Sequence, residues 1–118
     1  MLDSKDSHHE WATRFLVDHC DAAFIMPALT FAECLVRPTQ KNAADAFLAS
    51  IAGLDLDVTD VSAASAMQIA HIRATSKLRM PDAVVVAASL INGSALATTD
   101  QTLAKAATKQ GVPVFSPR

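Results

Sequence analysis

The sequence predicts an α/β fold, namely a three-layer sandwich in which a parallel sheet is flanked by helices on both faces. Helix-like segments alternate with short apolar segments of strand character, and this alternation is typical of a parallel sheet. The chain has 118 residues, of which 51% are hydrophobic, so it is long enough to bury a core. Because the sequence contains neither repeats nor a linker, we expect one domain over residues 1–118.

Six helices and four strands are predicted, each from a local pattern. The predicted strands lie near residues 22–26, 54–59, 94–98 and 112–115. The predicted helices cover residues 8–19, 27–38, 40–53, 62–77, 81–92 and 100–111. Residues 54–61, "LDLDVTDV", alternate between apolar and acidic residues, as a half-buried strand does. The run "PDAVVVAASLIN" is compatible with a buried strand from Val84 to Val86, but Pro81 at its start and Asn92-Gly93 at its end favour a buried helix.

Prolines, glycines and short polar residues set the predicted ends of these elements. Pro27 suits a first helical position, and Pro38 opposes continuation of that helix. Gly53 is expected to end the helix that follows. Asp60 or Ser62 is expected to cap the next helix, because both side chains can accept a hydrogen bond from a free backbone N–H.

Composition excludes several classes of protein. No apolar run approaches the roughly 20 residues that a membrane helix needs. The N-terminal segment "MLDSKDSHHEW" is polar and acidic, which is unlike a secretory signal. Cys20 and Cys34 form neither a metal-binding spacing nor a disulfide framework. We therefore expect a cytoplasmic protein with no membrane partner.

The charge of the chain does not indicate a nonspecific nucleic-acid binder, which would usually be basic. The formal net charge is −2 and the sequence pI is about 6.0. Three cations nevertheless lie close together before the buried helix, namely Arg73, Lys77 and Arg79. A solvated helix end is the simpler interpretation of this group, and a phosphate-contacting patch is the alternative.

Three acidic residues occupy positions where a parallel α/β fold gathers ligands, which is at the carboxyl ends of the strands. Glu33 lies early in the helix that follows the first predicted strand. Asp82 opens the buried helix, and Asp100 directly follows the third predicted strand. Each acid alone has a simpler role: Asp100 suits an N-cap, and Asp82 in a first helical turn is favoured by the macrodipole. Glu33 can pair with Arg37 four residues later.

Considered together, the three acids predict a metal site. Carboxylates gathered at one edge of a sheet repel each other, and a hard cation such as Mg²⁺ relieves that repulsion. Such an ion activates water and neutralises charge on a phosphate, which suits cleavage of a phosphodiester. Other chemistries have less support, since the sequence has no nucleotide-binding Gly-rich loop and His8-His9-Glu10 is not an H-E-x-x-H motif.

The segments around these acids resemble the PIN domain, and specifically the VapC-type toxins of bacterial toxin–antitoxin operons. The resemblance rests on "LTFAECLVRP" around Glu33, "KLRMPDAVVVAASL" around Asp82, and "LATTDQTLAKAA" around Thr98 and Asp100. "DSKDSHHEWATRFL" is similar to the first long helix of those proteins. The resemblance runs in register over nearly the whole chain.

The resemblance implies an endoribonuclease that depends on Mg²⁺ or Mn²⁺ and is silenced by a small antitoxin, whose C-terminal tail enters the active-site groove. It makes Glu33, Asp82 and Asp100 the metal-binding catalytic acids, with the Thr98 hydroxyl beside them. We expect their carboxylates to lie about 4 to 8 Å apart, with Glu33 pointing out of its packed helix face. The expected partners are the RNA substrate, the antitoxin and a second copy of the chain in a homodimer. The alternative is a non-catalytic PIN-like module that binds an antitoxin or RNA.

One feature departs from the PIN pattern. PIN domains begin with a strand that ends in a catalytic aspartate, and that strand has no counterpart here. Asp3 lies only five residues before His8, which is too little chain for the turn and short helix that follow this strand in PIN domains. We therefore interpret residues 1–7 as a later loop of a chain whose start is missing. Activity is then expected to be impaired. In PIN domains the missing strand lies between the strands that match residues 22–26 and 94–98. We expect this gap in the sheet to be closed by direct pairing of those two strands, by the N-terminal residues, or by a second chain.

Overall fold

Helices and short strands alternate along the computed structural model, which describes residues 4–19 and 21–117, with side chains from Glu10 onward. The helices are α1 (Ser4–Asp18), α2 (Ala28–Gln40), α3 (Ala44–Ile51), α4 (Ala66–Thr75), α5 (Met80–Asn92) and α6 (Gln101–Lys109). A 3₁₀ turn at Ala63–Ser65 precedes α4. The strands are β1 (Ala23–Pro27), β2 (Asp55–Thr59), β3 (Leu96–Ala97) and β4 (Val114–Phe115). All four predicted strands and all six predicted helices are therefore confirmed, with shifted ends.

The strands form two parallel pairs. β1 pairs with β2 in a register that places Ala23 opposite Asp55, and β3 pairs with β4 so that Leu96 lies opposite Val114. The predicted α/β class, with parallel strands flanked by helices, is confirmed. The expectation of one sheet is wrong for the described residues, because each pair is a separate two-stranded sheet.

Direct pairing of β1 with β3, one of the three expected ways to close the gap between them, is not found in the described part of the chain. α5 packs against β1 instead. The interpretation of residues 1–7 as a loop is also wrong from Ser4 onward, since α1 begins there. Residues 1–3, including Asp3, lie outside the described residues, and closure of the gap by a second chain remains a proposal.

The buried core lies in the second half of the chain, between α4, α5, α6 and the β3–β4 sheet. Ile72 on α4 and Val86 on α5 are its largest fully buried side chains. Buried residues of α6 and β3, such as Leu103 and Leu96, complete the cluster. By contrast, α2 and α3 contain no buried residue, so burial of apolar area stabilises the second half of the chain most.

Two of the shifted helix boundaries have a clear local cause, namely the end of α2 and the start of α3. α2 continues through Pro38 to Gln40, because the fixed φ of proline is itself helical and only one backbone hydrogen bond is lost. α3 begins at Ala44 rather than at residue 40, because Asn42 has a positive φ of 55° and the chain turns there. Ala43 N donates to Pro38 O at 2.7 Å, which closes this turn.

The predicted caps have mixed outcomes. The 3₁₀ turn follows Ser62 and α4 follows Ser65, and neither serine makes a side-chain cap hydrogen bond. α5 is a helix rather than a strand, and Gly93 ends it with a left-handed φ of 63°. On α1, Trp11 and Phe15 are half-buried, whereas Leu16 is exposed.

Candidate functional site

Glu33 lies on the outward face of α2. The inward face of this helix is formed by half-buried residues such as Phe31 and Leu35, whereas Glu33 is exposed. The expectation that Glu33 points away from the packed face is therefore confirmed. No hydrogen bond or ion pair to another described residue fixes its carboxylate, so the i+4 partner Arg37 is not engaged. Partial burial raises the pKa of the neighbouring Cys34 thiol, and the negative charge of Glu33 raises it further.

Asp82 lies in the first turn of α5, directly after Pro81. Its side chain is half-buried and has no hydrogen bond or ion pair within the described residues. Partial burial removes some of the water around a carboxylate that has no partner. A cation bound nearby would therefore stabilise its negative charge. The N-terminal end of α5 supplies only the partial positive charge of its macrodipole.

Asp100 is the N-cap of α6. Its Oδ1 accepts hydrogen bonds from Thr102 N at 2.9 Å and from Leu103 N at 3.2 Å. The N-cap role predicted for Asp100 is thus confirmed. The hydroxyl of Thr98 accepts a hydrogen bond from Asp100 N at 3.0 Å, and Thr98 N donates to Phe115 O. Within the described residues Oδ2 of Asp100 accepts no hydrogen bond, so it is free to bind water or a cation.

A cavity of about 160 Å³ lies at the carboxyl ends of β1 and β2, where a parallel fold is expected to bind a ligand. Pro27 and Thr59, the last residues of the two strands, line it together with Asp60. Its other wall is one face of α5, from Val84 to Ile91. Asp60 was predicted only as a cap, although its position directly after a strand was the feature that could have indicated this cavity.

The cavity and Asp82 lie on opposite sides of α5. Each helical residue advances by about 100° around the axis. Val84 and Ile91, which line the cavity, are therefore rotated by about 200° and 180° from Asp82. Asp82 consequently does not face the carboxyl edge of the β1–β2 sheet.

Comparison with known proteins identifies the family. The PIN domain profile matches residues 1–109 of the chain. The chain belongs to the PIN domain family. Its fold is similar to a solved toxin–antitoxin complex from Klebsiella pneumoniae, with a TM-score of 0.62 and 19% sequence identity over 78% of this chain and 72% of that one. The search of curated proteins finds no match.

PIN nucleases generally use divalent metals. The proposed site residues of this chain carry oxygen donors of the kind that such a metal binds, but their arrangement does not form a metal site. Carboxylates and hydroxyls are the donors that Mg²⁺ prefers, and the buried Thr30 Oγ1, one turn before Glu33, has no hydrogen-bond partner in the described residues. However, no group of three or more acidic, histidine or cysteine side chains in this part of the chain could hold a metal ion. Glu33, Asp82 and Asp100 thus do not form one metal cluster in this arrangement, and the expected convergence of the three carboxylates is not observed.

In this PIN domain, three exposed cations lie at the junction of α4 and α5, which precedes Asp82 in the chain. Arg73 is in the last turn of α4, and Lys77 and Arg79 lie in the connection to α5. All three side chains are exposed, and none forms an ion pair with another described residue. They are therefore available to contact a phosphate, as the alternative interpretation of the sequence requires.

No helix in the described ranges is both long and apolar enough to cross a membrane.

Proposed function

We propose that this PIN domain is the toxin of a toxin–antitoxin pair and acts as a metal-dependent endoribonuclease. The observation that carries the proposal is the match to the PIN domain over residues 1–109, because PIN domains are generally nucleases. The similar fold of a solved toxin–antitoxin complex supports the assignment to a toxin.

Glu33, Asp82 and Asp100 are the proposed metal-binding acids, with Mg²⁺ or Mn²⁺ as the ion. Two observations support this choice: the carboxylates of Glu33 and Asp82 have no partner within the described residues, and Asp100 uses only Oδ1 for its cap. Thr98 is proposed as the hydroxyl beside them, since it already contacts the backbone of Asp100.

The cations at the junction of α4 and α5 are proposed to position the RNA. Arg73, Lys77 and Arg79 are exposed and precede Asp82. Arginine and lysine contact phosphates without reading the base, so this group would fix the backbone of the RNA rather than select its sequence. The affinity for RNA is then expected to fall as the salt concentration rises.

The second candidate function is a non-catalytic module that binds an antitoxin or RNA. It is favoured by one observation, which is that the three acids do not form a metal cluster in the described part of the chain. A module of this kind would keep the family fold and its binding surfaces without cutting RNA.

Cleavage of a structured RNA in the presence of Mn²⁺ separates the two candidates. The nuclease is expected to cut only with Mn²⁺ and to stop when EDTA is added. Asp82→Asn is expected to abolish the cleavage, whereas the control Asp57→Asn is expected to leave it unchanged, because Asp57 is exposed on β2. Absence of Mn²⁺-dependent cleavage, together with retained RNA binding, would favour the non-catalytic module.

The antitoxin and a second copy of the chain are proposed as protein partners. The first half of the chain exposes apolar side chains that a partner could cover, including Leu29 and Val36 on α2 and Leu48 on α3. Exposed apolar patches mark protein interfaces, so we propose that a partner covers these side chains. Light scattering during size-exclusion chromatography tests the homodimer, and Val36→Asp is expected to convert it to a monomer. A native mass equal to one chain would exclude the homodimer.

A further inference from the structure

A second cavity, of about 340 Å³, lies between α1 and β4, and none of the three acids lines it. Its lining includes Trp11, Arg14, Phe15, Asp18 and His19 of α1, and Phe115 of β4. This volume is at the lower end of the range for small-molecule sites in proteins.

Aromatic rings form a continuous ladder along the wall of this cavity. Trp11 and Phe15 are stacked with ring centroids 5.3 Å apart, and Phe15 and His19 are stacked at 4.2 Å. The three rings are spaced four residues apart and therefore share one face of α1. Phe115 packs against the ladder at 5.4 Å from Phe15 and 5.6 Å from His19.

Packing of α1 against β4 leaves part of this aromatic surface exposed. Phe115 remains 47% exposed, and the rings border open space rather than a closed core. A ring cluster that served only to anchor the helix would bury its rings and leave no cavity, because protein interiors are close-packed.

The polar groups that line the cavity can contact a nucleotide. Arg14 and Asp18 are exposed at its rim. The Arg14 guanidinium can pair with a phosphate, and the Asp18 carboxylate can accept a hydrogen bond from the amino group of a base. His19 Nδ1 lies 2.9 Å from Phe15 O and donates to it, because a carbonyl only accepts. In the tautomer that makes this hydrogen bond, Nε2 is left as an acceptor.

We propose that this cavity is a stacking site for an unpaired base of single-stranded RNA. The base would lie against the Trp11, Phe15 and Phe115 rings, with its phosphate on Arg14. Aromatic rings that stack unpaired bases are the usual means of holding single-stranded RNA. The inference rests on the proposed RNA substrate, but it concerns a surface that contains none of the proposed catalytic residues.

Trp11 is the only tryptophan in the chain, so its fluorescence reports directly on this cavity. Titration with an eight-nucleotide oligocytidylate in EDTA is expected to quench the emission, since a base stacked on the indole changes its surroundings. A fully base-paired RNA hairpin is expected to quench it far less, because its bases are not free to stack. If neither RNA quenches Trp11, the cavity holds no base and the proposal is wrong.

Substitutions test the stacking itself. Phe115→Leu is expected to weaken binding of the oligocytidylate by about 5- to 150-fold, the range for loss of one aromatic platform. The matched control Phe47→Leu, on α3, is expected to have no effect. Arg14→Gln is expected to reduce the salt dependence of binding, and Arg14→Lys to preserve it. Unchanged affinity of the Phe115→Leu variant, with its thermal midpoint also unchanged, would overturn the proposal.

This experiment is independent of cleavage. The Asp82→Asn variant is expected to quench on RNA addition as the native chain does, even if neither cuts RNA. RNA cleavage that is identical in the native and Phe115→Leu chains, at RNA concentrations below saturation, would contradict the stacking site and leave the nuclease proposal intact.

Discussion

Asp100 combines a structural role that is visible in the structure with a proposed metal-binding role, and two substitutions separate them. Asp100→Ala removes the acceptor of the hydrogen bonds from Thr102 N and Leu103 N. Loss of an N-cap costs about 0.5–2 kcal/mol, typically about 1 kcal/mol. For a domain of this length we expect the thermal midpoint to fall by about 3–6 °C.

Asp100→Asn tests the other role, because asparagine caps a helix about as well as aspartate but carries no charge. We expect its midpoint to stay near the native value in 0.2 M salt, which screens the interaction with the helix dipole. Its Mn²⁺ binding, measured by calorimetry, is expected to weaken as much as that of Asp100→Ala.

The control is Asp45→Ala, since Asp45 also lies in a first helical turn but its helix has no side-chain cap. We expect this variant to change the free energy of unfolding by less than about 0.5 kcal/mol. Equal destabilisation by Asp100→Asn and Asp100→Ala would refute the cap argument. Native Mn²⁺ affinity in Asp100→Asn would remove Asp100 from the proposed metal site.

Three further predictions follow from the described structure. Ile72→Ala is expected to destabilise the domain by about 2–5 kcal/mol in urea unfolding, because the side chain is 1% exposed in the core. Gly93→Ala is expected to cost about 1–2 kcal/mol because of its left-handed φ, whereas Gly53→Ala, at an ordinary φ with open space around it, is expected to cost little. Since burial and Glu33 raise the pKa of Cys34, its thiolate fraction at pH 8 is lower than that of an unperturbed cysteine, and Glu33→Gln is expected to speed its alkylation, measured by peptide mass spectrometry. An unchanged rate would contradict the influence of Glu33.

The elements with strong local patterns could be predicted from the sequence. α5 was predicted as a helix from Pro81 and Gly93, and both residues act as expected at its ends. Asp100 was predicted as an N-cap, and its side chain caps α6. Such features depend on a few neighbouring residues, so the sequence specifies them directly.

Features that depend on tertiary contacts were predicted less well. The left-handed turn at Asn42 was missed because helix propensity alone does not exclude an asparagine. The division into two sheets was missed because the pairing of β1 with β3 depends on contacts between distant segments, which a local pattern does not contain. The rotation of α5 about its axis, which turns Asp82 away from the first cavity, was missed for the same reason, because it too depends on contacts between distant segments.

The distribution of the core determines which of the three acids must move if they are to bind one ion. Asp82 and Asp100 both lie on helices that the core holds together, since Ala83 and Val84 of α5 pack in one cluster with Leu103 of α6. A relative shift of these helices would break close-packed contacts, each of which contributes to a stability of only about 5–15 kcal/mol. Glu33 lies on α2, which has no buried residue, so its helix can be displaced at much lower cost. If Glu33 joins the proposed metal site, we therefore expect α2 to move rather than α5 or α6, because the core holds those two helices together.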